Sequence, residues 1–261
     1  MSINRMNMVD RSAEMWQPPA FFANETMLQN MVSQLRRYVD LQAGSLWQDL
    51  AEELPGWKGD VLDVGCGAQP YRKLMGSQAR YIGLDTYDVK AHFGYEMPNT
   101  VYYDGHKLPF ASQSMDRILC TETMEHVWDT NLFLSELERV LRSKGTIILT
   151  VPFAARWHYI PHDYWRFTPS ALNALLLKAG FQNIRVYSRG NFITVAAYKL
   201  MATILPLFFS RSPTMLLKLL KFATGLLCVP ILAVLACIGT ISLCAKSGDD
   251  CLGYTVLAEK S

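Results

Sequence analysis

Acidic residues are missing from one long stretch of this 261-residue chain. Between Tyr164 and Gly248 there are nine Lys or Arg residues and no Asp or Glu, whereas residues 1–163 carry 15 basic and 20 acidic side chains. A protein that binds nucleic acid over its whole surface would be basic throughout. The distribution therefore argues against a nucleic-acid partner and predicts a single basic region that faces an anionic surface.

The six cysteines form no CxxC pair, and the N-terminal residues include no apolar run of the kind found in secretory signals. The cysteine spacing excludes a disulfide framework and predicts no zinc cluster. The missing secretory signal leads us to expect a protein on the reducing, cytosolic side. Because only 18% of the residues are charged and 50% are apolar, the composition also excludes a disordered chain.

The middle of the chain alternates short apolar runs with helical patterns from Asp60 onward. This rhythm predicts a Rossmann-like α/β fold, with a doubly wound, seven-stranded and mostly parallel sheet. Thr168, Pro169 and Gly180 have the residue types that start and end a helix, and GYTVLAEK predicts a last, antiparallel strand. Before this region, an aromatic arm precedes a helix from about Asn24 to Gly44, whose apolar stripe is typical of a helix that packs against a core.

Two apolar blocks, Phe192 to Phe209 and Phe222 to Ala245, interrupt the alternating pattern. As a helix the second block would measure roughly 36 Å, against roughly 30 Å of membrane hydrocarbon. Two full spans would place the basic linker between them outside, against the positive-inside tendency, so a re-entrant hairpin or an interfacial helix pair is favoured. We expect Pro206 and Pro230 to kink these helices. The alternative is a buried dimerisation element or lid in a soluble cytoplasmic protein.

These features divide the chain into three predicted parts. Residues 1–53 form an N-terminal arm and helix, residues 54–190 together with 247–261 form the α/β domain, and residues 191–246 form an apolar insertion associated with a membrane.

The run VLDVGCG places a glycine turn directly after a predicted strand. Gly65 and Gly67 permit a close approach of the backbone to a ligand, but the third glycine of a dinucleotide site is replaced by Pro70. Asp63 would repel a pyrophosphate. The turn therefore favours a cofactor with a cationic centre over a nicotinamide dinucleotide, and a nicotinamide-dependent reductase is a weaker alternative.

Five segments in order, VLDVGCG, YIGLD, YYDGHKLPFASQSMDRIL, TETMEHV and FLSELERVLRSKGTIILTVP, resemble the class I S-adenosylmethionine-dependent methyltransferases. The resemblance is to the small-molecule branch that includes quinone-ring methyltransferases. It implies that Asp63 holds the amino-acid end of S-adenosylmethionine, that Asp85 accepts hydrogen bonds from the ribose hydroxyls, and that Asp104 accepts one from the adenine amino group. The cofactor-binding residues that it implies are Asp63, Gly65, Gly67, Asp85, Asp104, Gly105 and Glu122.

The loop from Trp157 to Thr168 carries the candidates for catalysis. His162 and Asp163 could remove a proton from an acceptor hydroxyl, although methyl transfer needs a dedicated base only for some acceptors. His158 and His162, with Asp163, could also be metal ligands. We predict no metal site, because the loop does not clearly supply a third ligand beside the two histidines and methyl transfer needs no metal. Arg166 could pair with Asp163 to fix the loop, and His126 could serve in packing or capping.

The sequence thus predicts a methyltransferase at the cytosolic face of a membrane, acting on a small-molecule or lipid-linked acceptor. A catalytically inactive methyltransferase-like membrane scaffold is the alternative. The residues do not identify the acceptor, the methylated element or the oligomeric state.

Overall fold

The computed structural model describes residues 26–88, 96–97, 99–208, 214–245 and 248–261. The predicted aromatic arm lies outside these residues. The described chain forms two compact units, one from Asp49–Tyr187 and Tyr254–Ser261 and the other from Thr26–Gln48 and Ser188–Gly253.

The first unit is built on a seven-stranded sheet with the order β3-β2-β1-β4-β5-β7-β6. Its strands are β1 (Gly59–Val64), β2 (Ala79–Thr86), β3 (Thr100–Tyr103), β4 (Met115–Thr121), β5 (Leu141–Pro152), β6 (Phe181–Arg189) and β7 (Gly253–Lys260). The pairs β3-β2, β2-β1, β1-β4 and β4-β5 are parallel. Antiparallel pairing occurs at the C-terminal end, so the predicted mixed, Rossmann-like sheet and its last strand are confirmed.

Strand β1 lies at the centre of this sheet and is buried from Asp60 to Val64. Such continuous burial is typical of a parallel strand that is covered on both faces. Val61 packs with Leu119 of β4, Ile148 of β5 and the buried residues Leu50 and Trp57. This core fixes the strand that leads into the glycine turn.

Two helices of the first unit begin at side-chain caps. The helices are numbered from α1 (Met27–Val39) and α2 (Leu41–Glu53), which precede the sheet. At the start of α3 (Thr130–Val140), Asp129 accepts a hydrogen bond from the amide of Leu132 (3.0 Å). Helix α4 (Pro169–Lys178) begins at Thr168, and Gly180 follows it with a φ of +97°. The predicted roles of Thr168, Pro169 and Gly180 are therefore confirmed.

The second unit contains α1, the first part of α2, α5 (Phe192–Ile204), α6 (Met215–Leu227) and α7 (Val229–Ser242). Asn191 links the two ends of the insertion. Its side-chain oxygen accepts from the amides of Ile193 (3.0 Å) and Thr194 (3.3 Å), while its Nδ2 donates to the carbonyl of Ser242 (2.9 Å). This unit groups α1 with the apolar insertion, although the prediction placed α1 in a separate N-terminal part.

The expectation of one packed helix from Asn24 to Gly44 is wrong in two respects. The chain breaks at Asp40, between α1 and α2. The apolar stripe of α1 is also largely on the surface, since Met27 is 82% exposed and Leu35 is 66% exposed. Helical periodicity shows which face of a helix is apolar, but it does not show what covers that face.

The second apolar block is also not one continuous helix. Helix α6 begins at Met215, before the block, and ends at Leu227, while Pro230 lies in the first turn of α7. Similarly, Pro206 lies in a short 3₁₀ helix after α5 and does not kink a helix midway. Among the described residues no single helix is long and apolar enough to cross a membrane, but α6 and α7 together are, with a bend of 52° between them.

Candidate active site

The glycine turn follows β1 and bends the chain back against β2. Gly65 and Gly67 have φ angles of +71° and +48°, a region that glycine enters without steric cost. The amides of Gly65 and Cys66 both donate to the carbonyl of Leu84 in β2 (2.9 and 3.1 Å). A Cβ on Gly65 would overlap the side chain of Thr123, so the turn needs glycine for space as well as for conformation.

Asp63 is buried beneath this turn with one carboxylate oxygen engaged. Its Oδ2 accepts a hydrogen bond from the Tyr81 hydroxyl (2.6 Å), whereas Oδ1 has no partner among the described residues. Burial raises the pKa of Asp63 to about 7, against the opposing hydrogen bond from Tyr81 and with a smaller contribution from the charge of Asp85. A buried acceptor with a free oxygen and a costly negative charge is suited to a cationic ligand group.

Asp85 lies at the end of β2 and holds the turn directly. Its Oδ2 accepts from the amide of Gly67 (2.8 Å), and its Oδ1 accepts from the amide of Thr86 (2.8 Å). Burial raises the pKa of Asp85 to about 6, although both amides oppose the change. Each carboxylate oxygen has two lone pairs, so acceptor capacity remains for the two hydroxyls of a ribose.

Asp104 and Gly105 directly follow β3, the neighbour of β2. Oδ1 of Asp104 accepts from the amide of His106 (3.0 Å), and Gly105 has a φ of +83°. Asp63, Asp85 and Asp104 therefore lie at the C-terminal ends of three adjacent parallel strands, the edge at which such sheets bind ligands.

Glu122 directly follows β4, beside this edge. Its backbone has a φ of +47°, and its Oε1 accepts from the hydroxyl of Thr150 (3.0 Å) in β5. The amide of Glu122 also donates to the carbonyl of Thr150 (3.1 Å). These bonds fix Glu122 at the end of the strand, and its contact with the cofactor stays a prediction.

Asp163 anchors the loop that follows β5. Its two carboxylate oxygens accept from both terminal nitrogens of Arg166 (2.6 and 2.8 Å), and Oδ2 also accepts from the amide of His158 (3.0 Å). Burial alone would raise the pKa of Asp163, but Arg166 and His158 outweigh it and hold that pKa well below its usual range. The expected pairing with Arg166 is confirmed. The catalytic role of Asp163 stays a prediction, and this geometry favours a part in positioning the loop.

His162 lies on the exposed side of the same loop. Its Nδ1 is 2.9 Å from the Tyr164 hydroxyl, so the other ring nitrogen is available to an acceptor molecule. The exposed indole of Trp128 lies edge-on to Tyr164 with a centroid distance of 5.3 Å. These aromatic rings provide apolar surface next to the histidine.

Sequence reasoning did not identify Glu125. Its side chain is fully buried, and neither carboxylate oxygen has a hydrogen-bond partner among the described residues. Burial, with the charge of Glu122 as a further cause, raises its pKa well above the usual range. One pattern could have indicated it, namely a glutamate next to a histidine shortly after a predicted strand.

The geometry fits S-adenosylmethionine in two ways. The orphan Oδ1 of Asp63 suits an ammonium group, and the remaining lone pairs of Asp85 suit ribose hydroxyls. The individual contacts of these residues with the cofactor stay predictions.

Parts of the sequence are similar to known methyltransferases. Residues 62–149 match the family described as "Methyltransferase domain". A probable S-adenosylmethionine-dependent methyltransferase of Mycolicibacterium smegmatis is 36% identical over 112 residues, which cover 41% of this chain and 42% of that protein. Another from Mycobacterium tuberculosis is 29% identical over 140 residues, covering 48% of this chain and 49% of that protein. The chain therefore spans less than half the length of these curated relatives.

A solved structure supports the same architecture. A SAM-dependent methyltransferase from Archaeoglobus fulgidus superposes with a TM-score of 0.52 at 16% identity, over 87% of this chain and 94% of that one. At this identity the likeness shows the fold alone. The family match and the curated relatives show that the chain carries a methyltransferase domain of the S-adenosylmethionine-dependent type over residues 62–149.

Proposed function

We propose that this protein transfers the methyl group of S-adenosylmethionine to a small-molecule or lipid-linked acceptor at the cytosolic face of a membrane. The observation that carries the methyl-transfer part is the meeting of Asp63, Asp85 and Asp104 with the glycine turn at one edge of the sheet. A purely structural protein has no need for the buried, unpartnered oxygen of Asp63.

The bound cofactor supplies an electrophilic methyl carbon on a positively charged sulfur. A lone pair of the acceptor forms the new bond to that carbon while the carbon–sulfur bond breaks and its electron pair returns to sulfur. The chain mainly contributes placement, which in well-oriented reactions reaches effective molarities on the order of 10⁵ to 10⁸ M. Where the acceptor is a hydroxyl, we assign proton removal to His162, because the contact between its Nδ1 and the Tyr164 hydroxyl leaves Nε2 for the acceptor.

The membrane part of the proposal rests on the second unit, whose helices carry many large apolar side chains on the surface. They are Met27, Met31, Val32 and Leu35 in α1, Phe192, Ile193 and Leu200 in α5, Met215, Leu216, Leu219, Leu220, Phe222 and Leu227 in α6, and Ile231, Val234, Ile238 and Ile241 in α7. Soluble proteins rarely expose this much apolar surface unless it binds a partner or a membrane.

Charge selects a lipid surface as the occupant of this apolar face. Lys199, Lys218 and Lys221 lie on α5 and α6, and the sequence between Tyr164 and Gly248 contains no acidic residue. A basic residue that lies near an anionic lipid surface is attracted to it by about 1 kcal/mol. Helices α6 and α7 also reach the length and apolarity of a bent or re-entrant membrane segment. The insertion leaves β6 and returns to the neighbouring β7, which suits an anchor whose catalytic domain stays on one side.

Transfer of a labelled methyl group tests the activity. Purified protein with methyl-labelled S-adenosylmethionine and a membrane lipid extract should give label in the organic phase, and the variant Asp85→Ala should not. Mass spectrometry of the labelled species would identify the acceptor. Intact cofactor binding without label in any lipid or small molecule would favour the inactive scaffold.

Fractionation tests the membrane surface. We expect the full-length protein in the high-speed pellet and release by detergent. Leu216→Glu with Leu220→Glu should move it to the supernatant, whereas Leu132→Glu with Leu177→Glu, at exposed leucines of the first unit, should not. If the unaltered protein stays in the supernatant without detergent, the proposal fails, and a dimer in light scattering would assign the apolar surface to a second copy.

A further inference from the structure

Three side chains beside the proposed active site converge on one point. One ligand atom from each of Glu125, His126 and His158 can be chosen so that all three lie within 4.8 Å of one another. Glu125 and His126 belong to a short 3₁₀ helix after β4, and His158 belongs to the loop after β5. The carboxylate of Glu125 is fully buried, and neither of its oxygens has a hydrogen-bond partner among the described residues.

Hydrogen bonds determine which nitrogen of each imidazole carries a hydrogen in the neutral ring. Nδ1 of His126 lies 2.8 Å from the carbonyl of His162, and Nδ1 of His158 lies 2.9 Å from the carbonyl of Arg156. A carbonyl oxygen can only accept, so each Nδ1 carries a hydrogen and donates it. In the neutral ring the free lone pair is then on Nε2. Metal-binding histidines are oriented in the same way, with the second nitrogen donating to a carbonyl or a carboxylate.

Asp163 strengthens this arrangement for His158. Its Oδ2 lies 3.1 Å from the same Nδ1, and the carboxylate is itself held by Arg166. A carboxylate behind an imidazole raises the basicity of the coordinating nitrogen. Asp163 would therefore act as a positioning residue for a ligand.

The gap between Glu125 and His126 has the size of a shared ion. Oε1 of Glu125 is 3.6 Å from Nε2 of His126, which is too long for a hydrogen bond. Zinc binds nitrogen at about 2.0–2.1 Å and carboxylate oxygen at about 2.0–2.2 Å, so two such ligands at the tetrahedral angle lie about 3.4 Å apart. A ligand atom at the 4.8 Å limit would need to move by about 1.4 Å to complete that geometry.

Electrostatics favours a cation at this position. The carboxylate of Glu125 is fully buried, and an ionised carboxylate is costly in such a position unless a positive charge compensates it. A divalent ion would compensate the negative charge of the Glu125 carboxylate and would bind its unpartnered oxygens.

We propose that Glu125, His126 and His158 bind a divalent transition-metal ion of the zinc type, with a fourth position open to an oxygen of the methyl acceptor. Two histidines and one carboxylate form a common ligand set of catalytic zinc sites. The set differs from His158, His162 and Asp163, the combination considered and rejected from sequence. Metal binding stands by itself, and the role toward the acceptor rests on the proposed function. The ion would bind the acceptor hydroxyl and lower its pKa, so that His162 takes up the proton more readily.

Titration of chelator-treated, full-length protein with Zn²⁺ tests the site. We expect one ion per chain, and at least about 100-fold weaker binding in Glu125→Gln and in His158→Ala, since even indirect metal-site partners contribute 10- to 100-fold. His106→Ala and His162→Ala are the matched controls and should bind as the unaltered protein does. Titration with Co²⁺ should give a spectrum of nitrogen and oxygen ligands without a sulfur-to-metal band.

S-adenosylmethionine binding is measured on the same variants to separate the two proposals. It should be retained in all four, which also shows that they are folded. Retained cofactor binding without stoichiometric Zn²⁺ in the unaltered protein would overturn the metal site and leave the proposed function intact. Zinc affinity that is unchanged in Glu125→Gln and His158→Ala, or a sulfur-to-cobalt band, would also overturn it, because the cysteines or other residues would then be the ligands. Loss of both ligands from the unaltered protein would contradict the proposed function as well.

Discussion

Replacing Asp63 by Asn removes a buried charge whose cost depends on pH. Burial raises the pKa of this carboxyl from 3.8 to about 7. Since one pKa unit corresponds to about 1.4 kcal/mol, ionised Asp63 lowers the free energy of unfolding of the cofactor-free protein by about 4 kcal/mol. The folded state keeps the proton at pH values where the unfolded chain has lost it, so the free energy of unfolding falls as the pH rises and levels off above about pH 7.

Between pH 5 and pH 8 this single group should lower the free energy of unfolding by about 2–3 kcal/mol. Asp85, with a pKa raised to about 6, contributes in the same direction, so the unaltered protein and Asp63→Asn must be compared at both pH values. We expect the stability difference between them to shift by about 2–3 kcal/mol in favour of the variant at pH 8. Urea unfolding followed by tryptophan fluorescence measures it, since Trp57 is part of the core around β1.

Asp129→Asn is the matched control. Asp129 is an exposed helix cap, and Asn caps a helix equally well, so this variant should follow the unaltered protein at both pH values. The account of Asp63 would be refuted if its replacement left the pH dependence of unfolding unchanged, because the carboxyl would then be ionised in the folded state without cost.

Three further variants test other parts of the site. Gly65→Ala should lower the free energy of unfolding in urea by at least about 1–2 kcal/mol and weaken cofactor binding, because alanine is strained at a φ of +71° and its Cβ meets Thr123. Equal stability and affinity would contradict this and show that the turn is adaptable. Arg166→Ala should lower the free energy of unfolding by about 3 kcal/mol in the same assay, since it leaves the buried carboxylate of Asp163 without its bidentate partner. A change below about 0.5 kcal/mol, the size expected for an exposed ion pair, would contradict this. His162→Ala should lower the rate of methyl transfer by about 10²- to 10⁴-fold with unchanged cofactor affinity in calorimetry, and full turnover would leave placement alone to carry the reaction.

The strands could be predicted because local patterns determine them. The apolar runs around Asp63 and Asp85, and the cap residues Thr168 and Gly180, carry their structural meaning within a few neighbours. The positions of the three carboxylates followed from the rule that parallel strands end at one edge of a sheet.

Other features depend on contacts that no local pattern reveals. The orphan oxygens of Glu125 arise from burial by distant residues, and a glutamate in the sequence gives no indication of that burial. The exposure of the α1 stripe depends on which helices share its unit. The start of α6 at Met215 was missed, because hydropathy reports the apolar run and not the point at which a helix begins, whereas the expected bend near Pro230 is present between α6 and α7.

Equilibrium binding of S-adenosylmethionine to the purified full-length protein tests the central claim most directly. Calorimetric titration should show saturable binding to one site, and Asp85→Ala should weaken it at least about tenfold, because hydrogen bonds to a charged acceptor contribute about 1.5 to 3 kcal/mol. Asp129→Asn should bind as the unaltered protein does. Saturable binding of a nicotinamide dinucleotide with none of S-adenosylmethionine, or an affinity that does not respond to the loss of Asp85, would contradict the account.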